Sequence, residues 1–198
     1  MTALTASPSN SSRADALSQT RTGKVLIGLA ATVVVAAAAH VSIPLPFTPV
    51  PLTLQPLAVL GVGLALGPIE GFLTLLAYLA EGAMGLPVFS STGPGGIAEI
   101  LGPNGGYLMA YPFVAAVAGG VVARLNTRTS RFLSALTAGA ISMALLFVCG
   151  ALWFAQYVHH SLYATVMGAV APFLPGEIVK VFVAAGVYST LTRARRIV

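Results

Sequence analysis

Two charged side chains stand alone in a long apolar stretch of this chain. Glu177 and Lys180 are the only charged residues between Arg131 and Arg193, and they lie three positions apart. On a helix this spacing places both side chains on one face, one turn apart. Ionisable groups within a membrane span are costly, so they normally face a bundle interior or a water-filled cavity and mark a functional site. The carboxylate and the ammonium group predict a pocket for a small polar solute, and a mutually neutralising structural pair is the alternative.

The composition indicates a polytopic membrane protein. Of the 198 residues, 57% are hydrophobic and only 8% are charged, whereas about 25% of residues are charged in an average soluble protein. Apart from Lys180, every Lys and Arg falls within residues 13–24, 124–131 or 193–196. This distribution follows the positive-inside rule, and it argues against a surface for nucleic acid despite the net charge of +5.

Six apolar runs are candidates for membrane-spanning helices. A span requires about 20 apolar residues, and the second and third runs are on the short side. The last run exceeds one span and contains Pro172 and Pro175, so we expect a bend or a short helix there, with the crossing part beginning near residues 168–172. The six runs are residues 24–41, 51–67, 69–86, 105–124, 132–157 and 161–192.

The basic clusters and the apolar runs together predict a topology. Four runs separate the first cluster from the second, and two separate the second from the third, so six spans place all three clusters in the cytoplasm. The predicted fold class is therefore an all-α integral membrane protein with six transmembrane helices and both termini cytoplasmic. Residues 1–23, rich in Ser, Thr and Ala, are predicted to be a disordered polar segment. Residues 24–198 are predicted to form a single membrane domain with Glu177 and Lys180 in its outer half.

A proline-rich segment at residues 43–55 cannot form a helix. Four prolines at near-alternate positions within residues 44–51 fix an extended backbone. Extended backbone at membrane depth survives only where protein or a water-filled cavity satisfies its polar groups. Thr53 and Gln55 therefore become candidates to hydrogen-bond a ligand. A rigid external hairpin, with Gln55 at the membrane interface, is the alternative.

A glycine-rich stretch at residues 82–106 is a second unusual connector. Its glycines permit close approach of the backbone to a ligand or to a neighbouring segment. Phe89 and Tyr107 could form an apolar wall, and Asn104 offers both donors and acceptors. The stretch is not a phosphate-binding P-loop, because that motif requires a lysine and none occurs between Lys24 and Lys180.

Five motifs follow one another along the chain, namely PLPFTPVPLTLQ (44–55), LGPIEG (66–71), YLAEGAMGLPVF (78–89), GPNGGYL (102–108) and PGEIVK (175–180). In this order they resemble the BioY family, the substrate-binding S components of biotin energy-coupling-factor (ECF) transporters. The resemblance covers about residues 24–192. It implies the S-component fold, biotin uptake as the function, and a multi-pass protein of a prokaryotic plasma membrane. It also implies two kinds of partner, a transmembrane T subunit and two ATP-binding A subunits.

The resemblance also implies a set of ligand-binding residues. The family's acidic-x-x-Lys element falls on Glu177 and Lys180, with Glu at a position where Asp is more usual. Lys180 can bond a carboxylate or another oxygen of biotin, and Glu177 can accept from ureido N–H groups. The other predicted contacts are the polar residues Gln55, Thr53 and Asn104 and the apolar wall of Tyr107, Phe89 and Leu86.

Several alternatives stay open. The chain could be a self-sufficient secondary biotin transporter, or an S component for another small carboxylate-bearing vitamin, and it could self-associate. An intramembrane enzyme is disfavoured because the chain has no Ser/His/Asp arrangement and no HExxH motif. No cofactor or metal is expected, since the adjacent His159 and His160 would diverge by about 100° on a helix.

Two further features have competing interpretations. Small residues at Gly28, Thr32 and Ala36 of the first helix permit close helix packing, either against a T subunit or within the molecule. Glu81 and Glu99 are expected to be solvated charges at the rim of the outer face.

Overall fold

The computed structural model describes residues 20–159 and 161–194, and this part of the chain is mostly helical. Helices α1, α5, α6 and α8, as numbered below, are long and apolar enough to cross a membrane. Most of the predicted polar segment, together with His160, Arg195 and Arg196, lies outside the described residues. The elements are α1 (Arg21–His40), β1 (Ser42–Leu45), β2 (Thr48–Thr53), α2 (Gln55–Leu66), α3 (Pro68–Ala83), α4 (Gly96–Leu101), α5 (Gly105–Leu125), α6 (Arg131–Phe154), α7 (Leu162–Ala169) and α8 (Leu174–Ala194).

Helices α2 and α3, which arise from the two runs predicted to be short, are indeed shorter than a typical membrane span. They contain 12 and 16 residues, which corresponds to about 18 and about 24 Å of helix. Both lengths fall short of a hydrocarbon core of about 30 Å. The run at residues 51–67 is shortened because its first residues belong to β2 and because Gly67 ends α2. The strands also make the described chain mostly helical rather than all-α.

Strands β1 and β2 form an antiparallel hairpin from the proline-rich segment. Ser42 pairs with Thr53, and the prolines are accommodated because a two-stranded sheet leaves outward N–H positions unused. Thr48 Oγ1 donates to the Gly168 carbonyl oxygen of α7 at 2.6 Å, and Val50 packs in one cluster with α7. The prediction of an extended backbone is therefore confirmed, and the hairpin is anchored to the end of the bundle that carries α7. This end is called the hairpin end below.

The last apolar run divides as its prolines predict. Helix α7 ends at Ala169 and α8 begins at Leu174. Pro172 lies in the turn between them, and Pro175 lies in the first turn of α8, where backbone N–H groups have no partner within the helix. The predicted short helix before the crossing part is confirmed.

The small residues of α1 pack within the molecule. A Cβ added to Gly28 would lie 3.2 Å from the Thr74 hydroxyl of α3. Thr32 is buried, with its hydroxyl 3.1 Å from Glu81 Oε1, and Ala36 packs against the main core. The intramolecular interpretation of this ridge is therefore the one that the structure supports. The exposed side of α1 carries larger apolar residues, namely Val25, Leu26, Leu29, Val33 and Val34.

A tight corner between α2 and α3 packs against α5. Gly67 joins the two helices with a φ of 83°, a conformation that favours glycine. A Cβ on Gly63 would lie only 2.4 Å from the Ala115 carbonyl oxygen of α5. This close approach fixes α2, which carries Gln55 at its first position.

Basic side chains gather at the end of the bundle opposite the hairpin end. Lys24 Nζ of α1 lies 2.6 Å from Glu70 Oε1 in the first turn of α3. Arg131, the first residue of α6, donates to the Thr192 carbonyl oxygen near the end of α8. The bundle therefore has one basic end and one end that carries the hairpin, α4 and α7.

Candidate ligand-binding site

A cavity lies at the hairpin end, where the hairpin, α2, α4, α5, α6 and α8 meet. It brings together Thr53, Gln55, Phe89, Asn104, Tyr107 and Glu177, which the sequence motifs place far apart along the chain. The lining residues are Val50, Pro51, Thr53, Gln55, Pro56, Phe89, Ser90, Glu99, Asn104, Tyr107, Leu108, Tyr111, Leu146, Phe147, Phe173 and Glu177.

Glu177 and Lys180 form a buried ion pair beside this cavity. Lys180 Nζ lies 2.5 Å from Glu177 Oε1 and 2.5 Å from the Thr53 carbonyl oxygen of β2. Glu177 lines the cavity, whereas Lys180 lies behind it. Both residues are nearly inaccessible, at 6% and 7% exposure. The ammonium group thus ties α8 to the end of the hairpin while it balances the charge of the carboxylate.

One carboxylate oxygen of this pair remains available to a ligand. Glu177 Oε2 is buried and has no hydrogen-bond partner in the described part of the chain. A buried acceptor without a donor costs about 1–3 kcal/mol. A ligand N–H or O–H that reached this atom would remove that cost.

A chain of two hydrogen bonds orients Gln55. Its Nε2 donates to Tyr78 Oη at 2.7 Å, and that hydroxyl donates to the Val88 carbonyl oxygen at 2.7 Å. Tyr78 is fully buried and packs edge-to-face against Phe89, with ring centroids 5.6 Å apart. The amide of Gln55 is therefore held by a tyrosine that itself stays out of the cavity lining.

Glu99 corrects the expectation of a solvated rim charge. Its exposure is 3%, it lines the cavity, and its Oε1 accepts from Asn104 Nδ2 at 2.7 Å. Glu99 Oε2 and Asn104 Oδ1 are buried without a hydrogen-bond partner among the described residues. A signal for this role was present, because Glu99 is the only charged residue between Glu81 and Arg124.

Aromatic residues supply the apolar wall. Tyr107 of α5 donates its hydroxyl to the Ala169 carbonyl oxygen of α7, which leaves its ring facing the cavity. Tyr111 follows four residues later on the same helical face, a spacing that could have identified it. Phe89 lines the cavity as predicted, whereas Leu86 is 50% exposed and lies outside the lining.

The helices and the cavity define a membrane-embedded protein with a pocket of aromatic walls and a few buried polar groups, a composition that is typical of ligand pockets. In the part of the chain that the structure describes, no group of three or more His, Cys, Asp or Glu side chains is placed to hold a metal ion. The profile of the BioY family matches residues 10–197. The chain therefore belongs to the BioY family.

Individual relatives cover most of this chain. The biotin transporter BioY of Rhodobacter capsulatus is 35% identical over 179 residues, which is 86% of this chain and 93% of the relative. The biotin transporter BioY of Thermotoga maritima is 35% identical over 154 residues, which is 78% of this chain and 86% of the relative. The probable biotin transporter BioY of Pyrococcus horikoshii is 42% identical over 132 residues, which is 67% of this chain and 74% of the relative.

A solved structure shares the fold. The crystal structure of the S-component for biotin from an ECF-type ABC transporter superposes with a TM-score of 0.78. The similarity covers 94% of this chain and 95% of that protein at 24% sequence identity. The chain thus has the S-component fold that its motifs imply.

Proposed function

We propose that this chain is a biotin-binding S component of an ECF-type transporter and that the cavity at the hairpin end binds biotin. One observation carries the proposal. Residues from four of the five BioY-like motifs, separated by more than a hundred positions in the sequence, line a single cavity. That cavity combines acceptors, an adjacent cation and aromatic rings. In this role the chain is a transport subunit rather than an enzyme.

The chemistry of biotin matches these groups. Its ureido ring has two N–H donors and one carbonyl oxygen, its thiophane ring is apolar, and its side chain ends in a carboxylate. Glu177 Oε2 is a free acceptor for a ureido N–H. An ammonium group has three N–H donors, and Lys180 uses two of them on Glu177 and Thr53. Because Lys180 is buried and does not line the cavity, its proposed role in binding is to hold Glu177 and Thr53 in place rather than to contact biotin directly.

The other proposed contacts with biotin come from the remaining residues that line the cavity. Thr53 and Gln55 supply polar groups at the junction of β2 and α2, and Asn104 supplies them at the start of α5. The rings of Tyr107 and Phe89 pack against the thiophane ring. Leu86, which was also predicted to contact biotin, is placed at the surface near this end rather than in the cavity lining.

The proposed topology places the cavity outside the cell. The basic clusters at both termini and in the α5–α6 loop are cytoplasmic by the positive-inside rule. An even number of crossings must then separate them, so α2 and α3 traverse the membrane as a short antiparallel pair capped by the hairpin. The protein is a multi-pass protein of a prokaryotic plasma membrane, with a polar segment at residues 1–23 before a single domain at residues 24–198.

The proposed partners are a transmembrane T subunit and two ATP-binding A subunits, which supply the energy for release of biotin into the cytoplasm. The experiment is uptake of labelled biotin by biotin-auxotrophic bacterial cells that lack their own importer. We expect uptake when the chain is expressed with T and A subunits, and loss of uptake when the P-loop lysine of the A subunits is replaced by alanine.

The same cells separate the alternatives. Equal uptake by the chain alone would indicate a self-sufficient transporter, with or without self-association. Absence of biotin uptake together with uptake of another labelled carboxylate-bearing vitamin, such as lipoate, would indicate a different substrate. Absence of uptake in every arm, with the protein present in the membrane, would contradict the proposed function.

A further inference from the structure

The cavity contains a second buried carboxylate that the BioY-like motifs do not single out. Glu99 of α4 is 3% exposed and lines the cavity. Asn104 Nδ2 donates to its Oε1 at 2.7 Å. This bond also fixes the orientation of the Asn104 amide, because the flipped amide would set two acceptors against each other. Two acceptors, Glu99 Oε2 and Asn104 Oδ1, are therefore buried at the cavity wall without donors among the described residues.

The surrounding backbone is shaped to hold the Glu99 carboxylate in this position. A Cβ at Gly93 would lie 1.9 Å from Glu99 Oε2, so a side chain at position 93 would displace the carboxylate from this position. The ion pairs of the described chain join Lys24 to Glu70 and Lys180 to Glu177, so neither provides a cation for Glu99. A buried carboxylate that lacks both a cation and a full set of donors is costly. Such a group is retained where a ligand completes its hydrogen bonds.

We propose that Glu99, oriented by Asn104, accepts one of the two ureido N–H groups of biotin while Glu177 accepts the other. The inference rests on the proposed function and adds a specificity-determining residue to it. The two N–H bonds of a cyclic urea diverge on either side of its carbonyl group, so one carboxylate cannot face both. The cavity offers one free carboxylate oxygen on the α4 wall and one on the α8 wall. This arrangement selects ligands with two N–H donors on one ring.

The test pairs Glu99→Gln with cyclic carbamate analogues of biotin, in which one ring N–H is replaced by oxygen. There are two such analogues, one for each nitrogen. The wild-type protein should bind biotin well and both analogues poorly, because the ring oxygen would face a carboxylate. Glu99→Gln should bind biotin about ten- to a hundredfold more weakly, the range expected when a charge-assisted hydrogen bond is lost.

The decisive result is a change of preference. Glu99→Gln presents an amide N–H, so it should bind one of the two carbamates at least about tenfold more tightly than wild type does. The other carbamate should gain only from Glu177→Gln. Glu81→Gln is the matched control, because this glutamate bonds Thr32 outside the cavity lining; its ligand preference should equal that of wild type.

Thermal unfolding without ligand provides an independent readout. A ligand-binding carboxylate predicts that Glu99→Gln is as stable as wild type or more stable, because an uncompensated buried charge has been removed. Glu99→Asp is the substitute variant if Glu99→Gln does not fold. It retains a carboxylate acceptor, so it should still bind both carbamates more weakly than biotin. Wild-type affinity for biotin with an unchanged ligand preference in Glu99→Gln, or binding of either carbamate as tightly as biotin by Glu99→Asp, would overturn this inference. Failure of wild type to bind biotin would instead contradict the proposed function.

Discussion

At the scale of residues, the buried ion pair on α8 connects the ligand cavity to the hairpin. Lys180 bonds both Glu177 and the backbone of Thr53, so a single ammonium group holds two walls of the site together. A simple neutralising pair would need only the first of these bonds. The second bond explains why Lys180 can matter for binding even though it lies behind the lining residues.

The substitution Lys180→Ala should weaken biotin binding about thirtyfold or more. Removal of one member of a buried charged pair typically costs about 2–5 kcal/mol, much of it from the charge left behind on Glu177. Lys180→Arg should restore little, since a planar guanidinium cannot replace a compact ammonium group between these oxygens. Calorimetric titration of the purified variants with biotin measures the effect.

The double substitution Glu177→Gln/Lys180→Met distinguishes a binding role from a purely structural one. If the pair binds ligand, the double variant should recover thermal stability but not affinity. Wild-type affinity in the double variant would show that these residues only stabilise the fold.

Tyr78 should contribute to binding through Gln55 although its hydroxyl does not line the cavity. Tyr78→Phe leaves Gln55 Nε2 and the Val88 carbonyl oxygen without their partner, at a cost of about 1–3 kcal/mol in stability. Because the Gln55 amide loses its fixed orientation, affinity for biotin should fall about tenfold. Tyr163→Phe, at a residue that is 74% exposed, is the matched control and should change neither quantity. Equal behaviour of the two variants would contradict this positioning role.

Site residues could be predicted from the sequence where a local pattern marks them, and not where their role depends on tertiary contacts. Glu177 stood out because a charge inside an apolar run is expensive, and the same argument applies to Glu99 once its side chain is known to be buried. The burial of Glu99 depends on how its carboxylate packs against Gly93, which no local pattern encodes. Tyr78 was concealed because its role depends on a hydrogen bond to a residue 23 positions away.

At the scale of elements, the corner between α2 and α3 helps to position the helices that line the site. Its glycine contacts allow α5 to approach α2 closely, and α5 carries Tyr107 and Tyr111 into the cavity wall. The apolar runs predicted the position of each long helix, because hydropathy reports burial in lipid or core. They overestimated α2, because hydropathy alone does not separate a helix from the proline-rich strand that precedes it.

The substitution Gly63→Ala should destabilise the protein by about 1–3 kcal/mol, as overpacking does. Its Cβ would lie 2.4 Å from the Ala115 carbonyl oxygen, whereas a Cβ on Gly61 of the same helix would meet no atom within 4 Å. Gly61→Ala is therefore the control, and it should be neutral or slightly stabilising. Thermal unfolding in detergent compares the two variants. A Gly63→Ala protein as stable as Gly61→Ala would contradict the close approach of α2 and α5.

At the scale of the whole molecule, the proposed topology makes a direct prediction. In a Cys149→Ala background, a cysteine at Ser91 or Ser161 should react with a membrane-impermeant thiol reagent added to intact cells. A cysteine at Thr127 should react only after the cells are opened, because the α5–α6 loop is cytoplasmic. All three positions are exposed, so accessibility within the protein does not confound the comparison. Reversed labelling would overturn the orientation and the outward-facing cavity.

The claim that joins these scales is that the chain alone contains a complete biotin site. Calorimetric titration of the purified, monodisperse protein with biotin, in the absence of T and A subunits, tests it most directly. We predict one biotin per chain with a nanomolar dissociation constant, a binding free energy of about −12 kcal/mol. Absence of binding at micromolar biotin in a folded sample would contradict the account.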